Sequence, residues 1–123
     1  MGNSVFNIRH RCFFFAKAII ALVSETRYDR KFYSIFDQLL RSGTSVGANL
    51  VEGYAGSSGA DFVRYLNIAL KSANETKYWL CLIRDTMQLS KDTLDGLIKE
   101  ADEISRILAA IIINQKRNKN SGQ

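Results

Sequence analysis

Apolar side chains recur along this chain at alternating steps of four and three. Between Ser4 and Glu25, the residues Ile8, Cys12, Phe15, Ile19 and Leu22 form one seam, with Phe13, Ala16, Ile20 and Val23 beside it. The spacing predicts a helix over 4–25 whose apolar face is wider than one partner helix needs. Residues 26–30, TRYDR, are a short polar connection. The alternation resumes with Phe32, Phe36, Leu39, Gly43, Val46 and Leu50, predicting a second helix over 31–54. Ser58, with Asp61 three residues on, has capping-box spacing and opens a third helix over 58–86. Its seam of Phe62, Leu66, Ala69, Ala73, Thr76, Leu80, Ile83 and Met87 holds for almost four heptads. Ser90 or Asp92 can cap a fourth helix over 91–117, with Leu97, Ala101, Ile104, Leu108 and Ile111 inward. Residues 118–123, polar and basic, are expected to form a disordered tail. Four helices with short connections read as an all-α, antiparallel up-down-up-down four-helix bundle in one domain over 1–117.

One stretch breaks the helical rules. Residues 39–62, LLRSGTSVGANLVEGYAGSSGADF, hold five of the chain's eight glycines, although each glycine inside a helix costs about 1 kcal/mol relative to alanine. Gly43 lies on the buried seam and Gly47 one turn on, so small residues at i and i+4 let two backbones approach closely; Ala69 and Ala73 are the expected partners. Gly53 and Gly56 are expected at a helix C-terminus and turn, where positive backbone angles are useful. Ser42, Ser45, Asn49 and Glu52 make a polar stripe on the same helix, expected to hydrogen-bond with Asn67, Lys71 or Glu75 on the third.

Composition narrows the class. Proline is absent, which suits long helices, and the formal charge is +5 with a pI near 9.4. Residues 1–41 carry seven basic and three acidic side chains, residues 106–123 four basic and no acidic ones, and residues 85–105 six acids against two bases. That patchiness suits both head-to-tail self-association and a polyanionic partner. Cys12 and Cys81 are isolated within apolar patterns, as packing thiols of a reducing compartment are, so a cytoplasmic location is expected. The N-terminal MGNSVF approaches a myristoylation pattern but has Phe6 where Ser or Thr is required. No apolar run reaches the ~18 residues of a membrane span.

Catalytic chemistry finds little material. The single histidine, His10, lies apart from Ser45 and Glu52, so neither gains a base or acid partner. One histidine and two separated cysteines give no zinc spacing, Glu-x-x-His pairs for a di-metal bundle are missing, and there is no GxxxxGK phosphate loop. The chain therefore reads as a non-enzyme without cofactor or metal.

The segments LLRSGTSVGANLVEG and DFVRYLNIALKSANETKYWLCLIRD closely resemble the bacterial four-helix-bundle family of proteins encoded within intervening sequences of the 23S ribosomal RNA gene. That family is also similar to the accessory variability protein of diversity-generating retroelements. The likeness covers about residues 5–115. It implies a ring-like homopentamer with a basic surface that contacts structured RNA or DNA, and, in the retroelement relatives, a reverse transcriptase partner. By residue matching, Ser45, Asn49 and Glu52 carry the second-helix motif, and Asn67, Glu75, Tyr78 and Trp79 the third-helix one, as structural or inter-subunit positions.

Two functions follow. As a nucleic-acid-binding assembly, the protein would use Arg9, Arg11, Lys17, Arg27, Arg30 and Lys31, with Lys116, Arg117 and Lys119, for phosphate contacts led by shape and charge, since no stacking platform is visible. Aromatic residues displaced from the seams, Phe6, Phe13, Phe14, Tyr65, Tyr78 and Trp79, are expected to be covered by further copies of the chain; as a structural adaptor, that self-assembled ring would instead hold a protein partner, with binding that depends on the aromatic surface and little nucleic-acid contact.

Overall fold

The structure, a computed structural model, describes residues 4–121 apart from Ser57. Among these, all regular structure is helical: α1 (Ser4–Glu25), α2 (Tyr33–Ala55), α3 (Gly59–Thr86) and α4 (Lys91–Ser121), with a single 3₁₀ turn, Arg30–Phe32, leading into α2. Gly2 of the myristoylation-like pattern lies outside the described residues, as do the side chains of Phe6 and Lys119.

Local chemistry sets the boundaries. Asp29 is extended, and its carbonyl accepts from the amide of Phe32 at 2.9 Å, so the chain tightens into a 3₁₀ turn before α2 starts. Ser58 caps α3, its hydroxyl accepting from the amide of Asp61 at 3.1 Å, and Ser90 does the same for the amide of Thr93 at 3.3 Å. At the other end, α4 runs to Ser121 and takes in residues expected to be a tail. The extension covers residues 118–121; no proline intervenes, and cations suit a helix C-terminus.

In the packing, α2 lies against α1 and α3, α3 against α4, and α4 closes on α1 through the thinnest seam. Paired positions run in opposite order: Cys12 meets Gly47 while Ile19 meets Gly43, and Ser45 meets Ser72 while Ser42 meets Thr76. Ile8, Phe15, Ile19, Phe36, Leu39, Leu50, Leu66, Leu80, Ile83, Leu94, Ile104 and Leu108 fill one continuous core.

The glycines occupy different contacts from those their spacing suggests. Gly43 faces Ile19 of α1, where an added Cβ would sit 3.0 Å from two Ile19 side-chain carbons, and Gly47 faces Cys12. Both therefore admit α1, and Ala69 and Ala73 are buried in the core without being their partners. Gly53 is not a turn residue: it is buried within α2 under Leu66 and Tyr65, and an added Cβ would come within 2.8 Å of Leu66. No described glycine has positive φ; Gly56, which ends α2, is extended. Close approach, rather than a left-handed backbone, accounts for Gly43 and Gly53.

Beside them, the polar stripe does form a network, with partners other than those expected. Ser72 donates to Ser45 Oγ at 3.0 Å, Asn49 Nδ2 donates to the same oxygen at 2.8 Å, and Thr76 Oγ1 lies 2.9 Å from Ser42 Oγ. Asn67 instead donates to the Val63 carbonyl at 3.1 Å, and Glu75 accepts from Trp79 Nε1 at 3.0 Å. Lys71 and Glu52 are exposed. Ser42, Ser72 and Thr76 are buried, so their hydroxyls need these bonds, each contributing about 1 kcal/mol net.

Two outcomes test this packing. Gly43→Leu should lower stability to denaturant by about 1–3 kcal/mol by overpacking Ile19, while Gly96→Ala should raise it by about 0.5–1 kcal/mol. A Cβ at Gly96 would meet no atom within 4 Å. Burial also pushes the Cys12 thiol up to about 12, so a thiol reagent at pH 8 should modify Cys81 in the native protein and reach Cys12 only on unfolding. Modification of both at equal rates would contradict the buried seat of Cys12.

Candidate nucleic-acid interface

Basic side chains suggested as phosphate contacts divide into four situations. Arg11 is held inside the protomer: Nε donates to Glu100 at 3.0 Å, and Nη2 donates to Glu100 at 2.6 Å and Glu103 at 2.9 Å. The guanidinium holds the Glu103 carboxyl below its usual range. This paired fork fastens α1 to α4 across their thin seam, and it takes Arg11 out of the phosphate-binding set.

Arg9 lies at the end of the bundle where α1 begins. Its guanidinium carbon sits 3.8 Å above the ring of Tyr54, near the end of α2, and Tyr54 meets Phe62 of α3 edge-on at 5.1 Å. Burial raises the Tyr54 phenol pKa, with Arg9 opposing the shift. Gly59, at the start of α3, faces Gln115 of α4. The starts of α1 and α3 and the ends of α2 and α4 are thus linked at one pole, where Lys116 and Arg117 are exposed. Arg9 keeps this cation–π contact with Tyr54 while remaining exposed. Arg64 joins the same pole, 4.4 Å over Tyr65 and 3.3 Å from Asp61.

Arg27, Arg30 and Lys31 gather at the opposite pole, around the connection from α1 to α2, and all three are exposed. Lys17 belongs to neither group. Its ammonium lies 5.9 Å from the ring of Phe13 and 5.5 Å from that of Phe14, midway along α1.

Acids of the 85–105 segment are largely engaged within the chain. Lys77 pairs with Asp102 at 3.0 Å, Arg106 with Asp102 at 2.9 Å, and Arg84 with Asp85 and Asp95, both at 2.9 Å. Lys77 is the main cause of the lowered Asp102 carboxyl, and Arg84 of the lowered Asp85 carboxyl. Negative charge clustered in sequence is therefore matched across α1, α3 and α4, while the cations at both poles face water. No group of three or more His, Cys, Asp or Glu arranged to hold a metal occurs among the described residues. No described helix is long and apolar enough to cross a membrane.

Aromatic residues off the seams also divide. Phe13, Phe14 and Tyr78 are 63%, 58% and 60% exposed, whereas Tyr65 and Trp79 are half-buried, Trp79 by packing against the core. Phe13 and Phe14 meet edge-on at 6.0 Å, as do Tyr78 and Trp79 at 5.0 Å. One feature had no counterpart among the sequence expectations. Tyr28, Tyr33 and Phe36 come together at the Arg27 pole, across the turn from the connection into α2.

The family model for 23S rRNA-intervening sequence proteins matches residues 6–110. A crystal structure at 1.70 Å of a protein with unknown function from the S23 ribosomal protein family, from Bacteroides thetaiotaomicron VPI-5482, is 38% identical. The match covers 85% of this chain and 94% of that one, with a TM-score of 0.79. None of the curated proteins matches the chain. With most of its length matched, and with that likeness in sequence and shape, the chain belongs to the family of 23S rRNA-intervening sequence proteins.

Proposed function

We propose that this protein is a non-enzymatic, self-assembling bundle of the cytoplasm, in which antiparallel up-down-up-down protomers form a ring-like homopentamer that binds structured RNA through basic surface. The observation that carries the reading is the division of charge. Arg11, Lys77, Arg84 and Arg106 are tied to carboxylates, while Arg9, Arg27, Arg30, Lys31, Lys116 and Arg117 remain exposed at the two poles. Cations arranged this way neutralise phosphates and displace counterions without reading sequence. Membership of a family named for 23S rRNA intervening sequences fits an RNA partner. Self-assembly is supported by Phe13, Phe14 and Tyr78, whose exposed rings suit burial against further copies.

A second reading is favoured by the same aromatic surface: a structural adaptor that holds a protein such as a reverse transcriptase, as the likeness to the retroelement accessory protein suggests, with little direct nucleic-acid contact. Salt separates the two. Binding of structured RNA through about six phosphates should weaken with a log-log slope of roughly −4 to −5, and Arg30→Gln with Lys31→Gln should shallow that slope by about one to two. Affinity indifferent to salt would favour the adaptor.

Assembly is tested separately. Light scattering at micromolar concentration should give a multiple of the 13.9 kDa protomer mass, with Phe13→Ser and Phe14→Ser lowering it. A clean wild-type monomer would remove the ring.

A further inference from the structure

At the Arg27 pole, α1 ends when the amide of Thr26 donates to the Leu22 carbonyl at 3.1 Å, and the chain crosses to α2 in a few residues. That crossing sets three rings side by side. Tyr28 stacks on Phe36 with centroids 3.8 Å apart and planes 11° from parallel, and Phe36, 1% exposed, anchors the pair in the core. Tyr33 meets Tyr28 edge-on at 5.7 Å and 87°, yet remains 57% exposed. These rings, with Arg27, Ser34 and Asp37, wall an open cleft of about 910 Å³.

Most of the chain's exposed aromatic rings lie on helix faces; Tyr33 lies in a cleft, fixed by a ring that is itself fixed by the core. Arg27 forms part of the same wall, and Arg30 and Lys31 occupy the next turn, with the Lys31 ammonium 5.4 Å from the Phe32 ring. Glu25 and Asp29 are exposed nearby, and the carboxylate in the wall, Asp37, is held by Arg41 at 3.1 Å. A pre-positioned ring face, a guanidinium in the wall that can stack or bind phosphate, and two further cations in the adjoining turn suit an unpaired nucleotide: the base takes the ring, and its flanking phosphates take the cations.

We infer that the Tyr28–Tyr33–Phe36 cleft seats an unpaired base of single-stranded RNA, with Arg27, Arg30 and Lys31 holding its phosphates. This rests on the RNA-binding reading and adds a place and a strand preference to it. Base stacking tolerates any sequence, so the cleft recognises single-strandedness rather than a motif. Sequence spacing alone does not show the cleft, because Tyr28 belongs to a connection and Tyr33 to a helix start.

The test uses the full chain with a fluorescein-labelled single-stranded RNA of about twelve nucleotides and a duplex of the same length, a size within the range of single-strand sites. Anisotropy should show Tyr33→Ala weakening single-strand binding roughly 5- to 100-fold, with duplex affinity and salt slope unchanged. Tyr33→Phe, which keeps the ring, should stay within about twofold of wild type on the same stacking argument. Equal losses on both probes, or no loss on the single strand, would overturn the cleft. Loss with Lys116→Gln and Arg117→Gln but not with Tyr33→Ala would also overturn it, while leaving RNA binding intact. Wild-type protein that binds neither RNA would remove the broader reading as well. Unchanged circular dichroism and melting of the Tyr33 variants would exclude misfolding as the cause.

Discussion

Helix α2 touches α1 and α3 at near-backbone distance, and the rest of the bundle is arranged around those contacts. Gly43 and Gly47 admit Ile19 and Cys12 from one side, and Gly53 admits Leu66 and Tyr65 from the other. Each glycine costs helix propensity of about 1 kcal/mol; tight packing of neighbouring side chains against a bare backbone offsets it, since protein interiors leave few voids. With the helices this close, short side chains can bridge them. Ser45 reaches Ser72, and Thr76 reaches Ser42, through single hydroxyls. Gly53 and the buried hydroxyls therefore act on one contact, in which close approach of α2 and α3 permits the polar bonds and the bonds fix the sliding register, while Gly43 and Gly47 set the approach of α1.

Elsewhere long side chains make the joins. The α1–α4 seam is thin, and its join is the forked pair of Arg11 with Glu100 and Glu103. Between α3 and α4, Lys77 and Arg84 reach Asp102 and Asp95. Partly exposed pairs such as these contribute little stability individually. Their larger effect is on the surface potential: they match the acidic run against cations of the same chain, and Arg9, Arg27, Arg30, Lys31, Lys116 and Arg117 stay exposed at the two poles. The basic character of the chain thus becomes directional only through these pairings.

The outer face of α1 has a different character. Phe13 and Phe14 flank Lys17, whose ammonium lies within cation–π range of both rings. An apolar flank with a cation at its centre suits a partner surface that is apolar with a carboxylate or phosphate within it. The tyrosine cleft near Arg27 is aromatic and basic as well, but there the ring is set by contact with the core through Phe36. The two surfaces are at different places on the molecule and share no side chain.

Helical class and the identity of the seams were legible in the sequence, because a repeat of four and three has one economical solution. Ile8, Cys12, Phe15 and Ile19 fall on one side of a helix whatever they pack against, and all four are buried. The sequence also marked Gly43, Gly47 and the Ser42–Ser45–Asn49 stripe as positions with a purpose. It could not say which neighbour each would meet, since a helix presents the same residue to either adjacent helix until rotation and crossing are fixed. Only the tertiary structure assigned Gly43 to Ile19, buried Gly53 under α3, and withdrew Arg11 into a pair with acids some ninety residues away. The same holds for Tyr28, Tyr33 and Phe36: proximity in three dimensions depends on how a connection turns. Periodicity along one axis fixes which face is buried, whereas partnership between faces is decided by the packing of all four helices together.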